Sequence, residues 1–94
     1  MVNTFCPVCG FNLGFPAWRG DSASHETCHS CGIEFGYHDV TEASGTPGTK
    51  EEIYLKWRNK WIKEGMPWSV DESYKPKNWN PAKQLKHIGI INKI

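Results

Sequence analysis

CPVCG at residues 6–10 returns as CHSCG at residues 28–32. Each copy is Cys-x-x-Cys-Gly, and 18 residues lie between the two pairs. Two such pairs are a far stronger metal signal than one. The reason is geometric. Zinc takes four ligands at tetrahedral corners, with Zn–S near ~2.3 Å. A tight turn with cysteines three apart points both sulfurs at one ion, and its backbone N–H groups can hydrogen-bond the thiolates. Gly10 and Gly32 follow the two pairs, where such a turn calls for a positive φ.

The second copy sits in HETCHSCG, residues 25–32, which offers four candidate ligands: His25, Cys28, His29 and Cys31. His29 lies inside the turn, where a side chain points away from the ion. His25 precedes Cys28 by three positions, and on an extended strand that odd offset faces the other way. The expected ligand set is therefore Cys6, Cys9, Cys28 and Cys31, holding one Zn2+ per chain. Four thiolates fill the shell and leave no open position for an activated water. The site is expected to stabilise the fold, and no catalytic residue is assigned. Iron is the second choice of metal, since tetrahedral sulfur suits both ions and CPVCG has the Cys-Pro-x-Cys-Gly form of rubredoxin-like electron carriers. A dithiol oxidoreductase fits poorly, because its cysteine pair belongs at a helix N-terminus.

The flanking residues place the motifs. In IEFGY, residues 33–37, Ile33, Phe35 and Tyr37 alternate with Glu34 and Gly36, the period of a half-buried strand. Residues 24–37 then read as a hairpin with the second cysteine turn at its tip. The first copy, between Phe5 and Phe11–Leu13, reads as a looser hairpin. GFPAWRGDSAS between them reads as a loop, with Trp18 as a core anchor. EASGTPGTK, residues 42–50, is a connector. TKEEIYLKWRNKWIKEG follows as an amphipathic helix. Thr49 and Glu52 have capping-box spacing, Gly65 stands at the C-terminal cap, and Ile53, Tyr54, Trp57, Trp61 and Ile62 form the apolar stripe. In the tail, Asn80 before Pro81 announces a short helix over 81–87 that buries Leu85.

Composition bounds the rest. A chain of 94 residues is one small domain, and a core of that size is marginal without a staple. No run is long enough to span a membrane, and MVNTFCPVCG lacks the basic-then-apolar form of a secretory signal. The expected location is the cytoplasm, where thiols stay reduced. Residues 1–49 carry one base and five acids, whereas residues 50–94 carry ten bases and five acids. The two halves are expected to dock on each other. An anionic partner for the basic half is the alternative, with Lys56, Arg58, Lys60 and Lys63 tracking phosphates. The pI near 7.7 is low for a dedicated nucleic-acid binder. Asp71 and Glu72 read as solvated loop charges, and Glu34, Asp39 and Glu42 as a solvated acidic edge. No phosphate-binding glycine loop and no nucleophile elbow is present, so no small-molecule substrate is evident.

CPVCG, CHSCGIEFGYHD, WRNKWIKEGMPW and PKNWNPAKQL together resemble a group of small bacterial proteins, the cysteine-rich CPCC-type zinc-ribbon-like family. The likeness covers about residues 4–88. Val8 stands where the strict CPCC form has a cysteine, which leaves four ligands. The resemblance implies a zinc ribbon in a bacterial cytoplasmic protein and supplies no activity. The expected architecture is a small α+β fold in one domain, 1–94. It comprises a zinc ribbon over 1–41 with two cysteine knuckles on antiparallel hairpins, an amphipathic helix over 49–65, and a tail over 66–94. The expected function is a non-enzymatic zinc module that binds another protein, with a nucleic-acid-binding ribbon and an iron electron carrier as alternatives.

Overall fold

The capping box of Thr49 and Glu52 starts the longest element. In the computed structural model, which describes residues 3–89, the Thr49 side chain accepts from the Glu52 N–H at 3.1 Å and the Glu52 carboxylate accepts from the Thr49 N–H at 2.7 Å. The backbone bond at Thr49 holds the exposed Glu52 carboxyl below its ordinary range. Helix α2, Lys50–Lys63, follows. It ends in a Schellman motif: Gly65 (φ 94°) donates to Ile62 O and Met66 to Trp61 O. Ile53, Tyr54 and Trp61 are buried, and Trp57 and Ile62 pack at the margin of the core. Lys56, Lys60 and Lys63 face outward as expected. No helix among the described residues is long and apolar enough to cross a membrane.

The fold is small α+β, with one two-stranded antiparallel sheet and three α-helices among the described residues. The strands lie elsewhere than the alternation in IEFGY predicts. Strands β1, Trp18–Arg19, and β2, Ser22–Ala23, pair around Gly20–Asp21, inside the segment that reads as a loop. The two cysteine turns are each closed by one isolated bridge, Phe5–Asn12 and Thr27–Glu34, so hairpin pairing exists there without regular strands. The strand expected over 33–37 stops at Glu34, because the chain turns at once: Tyr37 and His38 donate back to Glu34 O. Gly36 takes φ 90° and donates to Asp39 Oδ1 at 2.7 Å. Ile33 and Phe35 are fully buried as the alternation requires, while Tyr37 is exposed.

The expected connector begins with a single helical turn, α1, Thr41–Ser44, closed by Gly45. The tail contains a short 3-10 turn, Glu72–Tyr74, capped by Asp71, whose exposed carboxyl its bond from Ser73 N–H holds below the usual range. Helix α3, Pro81–His87, has Asn80 as N-cap and Leu85 buried, as Asn80–Pro81 announces. Full burial of one leucine is worth roughly 2 kcal/mol. Residues 1–2 and 90–94, at the ends of the expected ribbon and tail segments, lie outside the described residues.

The acidic and basic halves meet, among the described residues, without ion pairs between them. Among the described residues the side-chain ion pairs are Lys60–Glu64 and Lys75–Glu72, both within the basic half. The meeting is made by a cation over a ring, with Lys50 Nζ 3.6 Å from the Trp18 centroid, and by donors aimed at acceptors. Asp39 belongs to this set and not to a solvated edge. Its carboxylate is buried and accepts from Trp18 Nε1 at 2.9 Å, Tyr54 OH at 2.7 Å and Gly36 N. It ties β1, the turn after Phe35 and α2 together. Burial, then the neighbouring carboxylate, pushes the Tyr54 phenol above the ordinary tyrosine range. Asp39→Ala leaves three inward donors without an acceptor and is expected to cost about 3 kcal/mol in chemical denaturation. A change below about 0.5 kcal/mol would show that this junction is not a structural lock.

Candidate metal centre

Each cysteine turn is built by the same pair of backbone bonds. In the first, Gly10 N–H donates to Cys6 O at 2.9 Å and Cys6 N–H to Phe11 O at 2.8 Å. In the second, Gly32 N–H donates to Cys28 O at 2.8 Å and Cys28 N–H to Ile33 O at 2.9 Å. Gly10 and Gly32 take φ 84° and 82°, the left-handed conformation expected of them. The turns face each other, and their four sulfurs converge. Cys6 Sγ lies 3.8 Å from Cys31 Sγ, and Cys9 Sγ lies 3.6 Å from Cys28 Sγ. All four lie within 4.8 Å of one another. Metal–sulfur bonds of ~2.3 Å in an ideal tetrahedron imply S···S edges of about 3.8 Å. The donor set and its spacing therefore fit one tetrahedral ion.

The cluster is closed to solvent. Cys6, Cys9 and Cys28 are fully buried and Cys31 is 6% exposed. Burial pushes the Cys6 and Cys31 thiols well up, while hydrogen bonding from Cys31, Cys6 and Cys9 draws the Cys28 thiol far down. A divalent ion makes four buried thiolates tolerable together. Neither histidine joins the cluster. His29 is exposed, with its ring 5.8 Å from Tyr74 and 6.3 Å from Trp68. His25 is exposed, takes φ 61°, and sets its ring against Gly36.

A second layer of donors surrounds the turns. Arg58 reaches from α2 to the first turn and donates from Nε to Val8 O at 2.7 Å and from Nη2 to Pro7 O at 2.9 Å. It is turned inward, which removes it from the phosphate-tracking row expected on the outer face. Desolvation lowers its pKa, and the attraction of Cys6, Cys9 and Cys31 opposes that shift. Trp57 Nε1 donates to Cys31 O at 2.9 Å. Gln84, from α3, spans both turns by donating to Cys9 O and to Ser30 Oγ, each at 3.3 Å. Trp79 Nε1 also donates to Ser30 Oγ, and Ser30 is fully buried. Val8 N–H donates to Cys6 Sγ at 3.4 Å. Most of these donors satisfy turn carbonyls, and they aim positive ends at a site that would carry net negative charge with four thiolates on one divalent ion. One signal for Arg58 is present in the sequence: Tyr54, Arg58 and Ile62 form one row at helical spacing.

No protein-family model, curated protein or solved structure matches the chain. The site's geometry therefore carries the reading of what it holds.

Cys28→Ser is expected to abolish stoichiometric metal binding and loosen the fold, whereas His29→Ala leaves both intact. Elemental analysis and the near-ultraviolet dichroism of the tryptophans check this pair. Stoichiometric metal retained by Cys28→Ser, or lost by His29→Ala, overturns the ligand assignment. Metal affinity should also rise with pH through neutrality. The burial-raised thiols of Cys6 and Cys31 hold their protons in the metal-free protein, and the ion must displace them. A competition titration with a chromophoric chelator at several pH values checks the sign.

Proposed function

We propose that the protein is a non-enzymatic, zinc-stabilised interaction module of zinc-ribbon type, akin to the CPCC-type family, that works in the cytoplasm by binding another protein. One Zn2+ is held by Cys6, Cys9, Cys28 and Cys31. The observation that carries this reading is the closed, buried cluster of four sulfurs within 4.8 Å of one another, two of whose edges, 3.8 and 3.6 Å, match a tetrahedral thiolate site. Four thiolates leave no coordination position for water or substrate, which supports a structural role for the ion. Metal binding of this kind contributes on the order of 10 kcal/mol to folding, enough to hold a small core in shape.

The readings that compete are separable. Iron fits the same edges, and an iron protein would serve electron transfer. A nucleic-acid module would use the exposed Lys56, Lys60 and Lys63. That row is weakened by Arg58 turning inward and by the Lys60–Glu64 pair at 3.4 Å. The purified protein is expected to be colourless and to contain about one zinc per chain, by the ligand count. A red protein with visible charge-transfer absorption and one iron per chain would replace zinc with iron in this reading. Tight, salt-dependent binding of DNA or RNA that charge reversal at Lys56, Lys60 and Lys63 weakens would replace the protein partner with nucleic acid.

A further inference from the structure

The tail does more than cover the cysteine turns. Between the first turn and the tail lies an open cleft of about 470 Å3, within the size range of roughly 300–1,000 Å3 usual for binding clefts. Phe5, Phe11 and Trp79 give it an apolar lining, and Asn80, Lys83 and His87 stand along its tail side. No Asp or Glu lines it. Lys83 lines it, Lys77 stands between its lining residues Pro76 and Asn78, and Lys86 precedes His87, whereas Lys75 is paired with Glu72.

We infer that this cleft binds a short acidic peptide segment of a protein partner, taking one apolar side chain between Phe5, Phe11 and Trp79 while its carboxylates meet Lys83 and the tail lysines. The inference rests on the protein-binding reading above and names the chemistry of the partner. Charge complementarity selects an acidic segment. The protein-binding reading makes that segment a peptide, and single-stranded nucleic acid is an outcome of the test. Trp68, outside the lining, backs two of its rings edge to face. Phe11 and Trp68 cross at 74° with centroids 5.5 Å apart, and Trp68 and Trp79 at 75° with centroids 5.3 Å apart. Phe5 turns its ring at 57° to His87, 4.5 Å away. Phe5, Phe11 and Trp79 offer apolar contact to a Leu, Met or Phe side chain. The walls come from two segments far apart in sequence. Gln84 fixes their spacing by its bond to Cys9 O, so the cleft depends on the cysteine cluster for its shape.

The test pans a phage-displayed random dodecapeptide library against the full chain as purified. Enriched peptides are expected to place Asp or Glu beside a Leu, Met, Phe or Trp. Synthetic copies should bind Lys83→Glu at least tenfold more weakly and Lys83→Gln by an intermediate factor. Lys56→Glu, on the outer face of α2, should bind them unchanged. Metal content and melting temperature are measured for each variant so that loss of fold is not taken for loss of binding. No enrichment, enriched peptides without acids, or equal binding by Lys83→Glu overturns the inference. So does a random single-stranded RNA pool that is retained in a Lys83-dependent manner while peptides are not. A preparation without metal that still binds acidic peptides through Lys83 keeps the cleft and removes the zinc reading; a zinc protein that binds none does the reverse.

Discussion

Four cysteine sulfurs buried within 4.8 Å of one another are the constraint to which the rest of the chain answers. Four thiolates could share so small and dry a volume only with a cation among them. The sulfurs stand where they could hold one ion, and the turns that carry them need their carbonyls satisfied. Arg58, Trp57 and Gln84 supply those donors from helices distant in sequence. Tertiary structure in this protein is largely the delivery of N–H groups to two five-residue turns.

The same demand explains why both turn glycines are irreplaceable on two counts. Their positive φ disfavours any other residue. The space beside them is also taken. A Cβ on Gly10 would press on the backbone of Gln84, and a Cβ on Gly32 would meet the Ser69 hydroxyl. The tail thus approaches each turn as closely as glycine allows. Ser69 N–H donates to His29 O at 3.0 Å, and Gln84 and Trp79 share the buried Ser30 hydroxyl. Tail and cysteine turns form one packed unit, so the cluster's contribution to stability extends to α3.

What the sequence made legible is what short-range geometry determines. Cysteine spacing, the Thr49–Glu52 box, Gly65 and Asn80–Pro81 each act within one turn of chain, and the structure places the sulfurs together and starts or stops the helices as those residues require. The alternation in IEFGY correctly marked Ile33 and Phe35 as core, but not the strand. Burial alternates in any extended pair of residues, and Gly36 with Asp39 then bends the chain. The β1–β2 hairpin carried a signal in Gly20–Asp21, yet its strands are two residues long and lack apolar alternation. Asp39 was illegible for a different reason. Its partners Trp18 and Tyr54 lie 21 and 15 residues away, and nothing local distinguishes a carboxylate with buried donors from one in water.

Asp39 and Arg58 show how a small protein uses charge where it lacks apolar bulk. One is an anion that gathers three donors; the other is a cation that closes two carbonyls beside the cysteine cluster. Each replaces hydrophobic contacts that 94 residues cannot provide in number. Both are directional, so they fix the angle at which α2 meets the cysteine turns, which apolar packing alone fixes less sharply. With α2 held on one side and α3 on the other, the first turn keeps Phe5 and Phe11 turned toward Trp79. Four thiolates around an ion would leave it nothing to do chemically. The consequence at the surface is a cleft with apolar walls, held between the first cysteine turn and the tail by the Gln84 bond to Cys9 O.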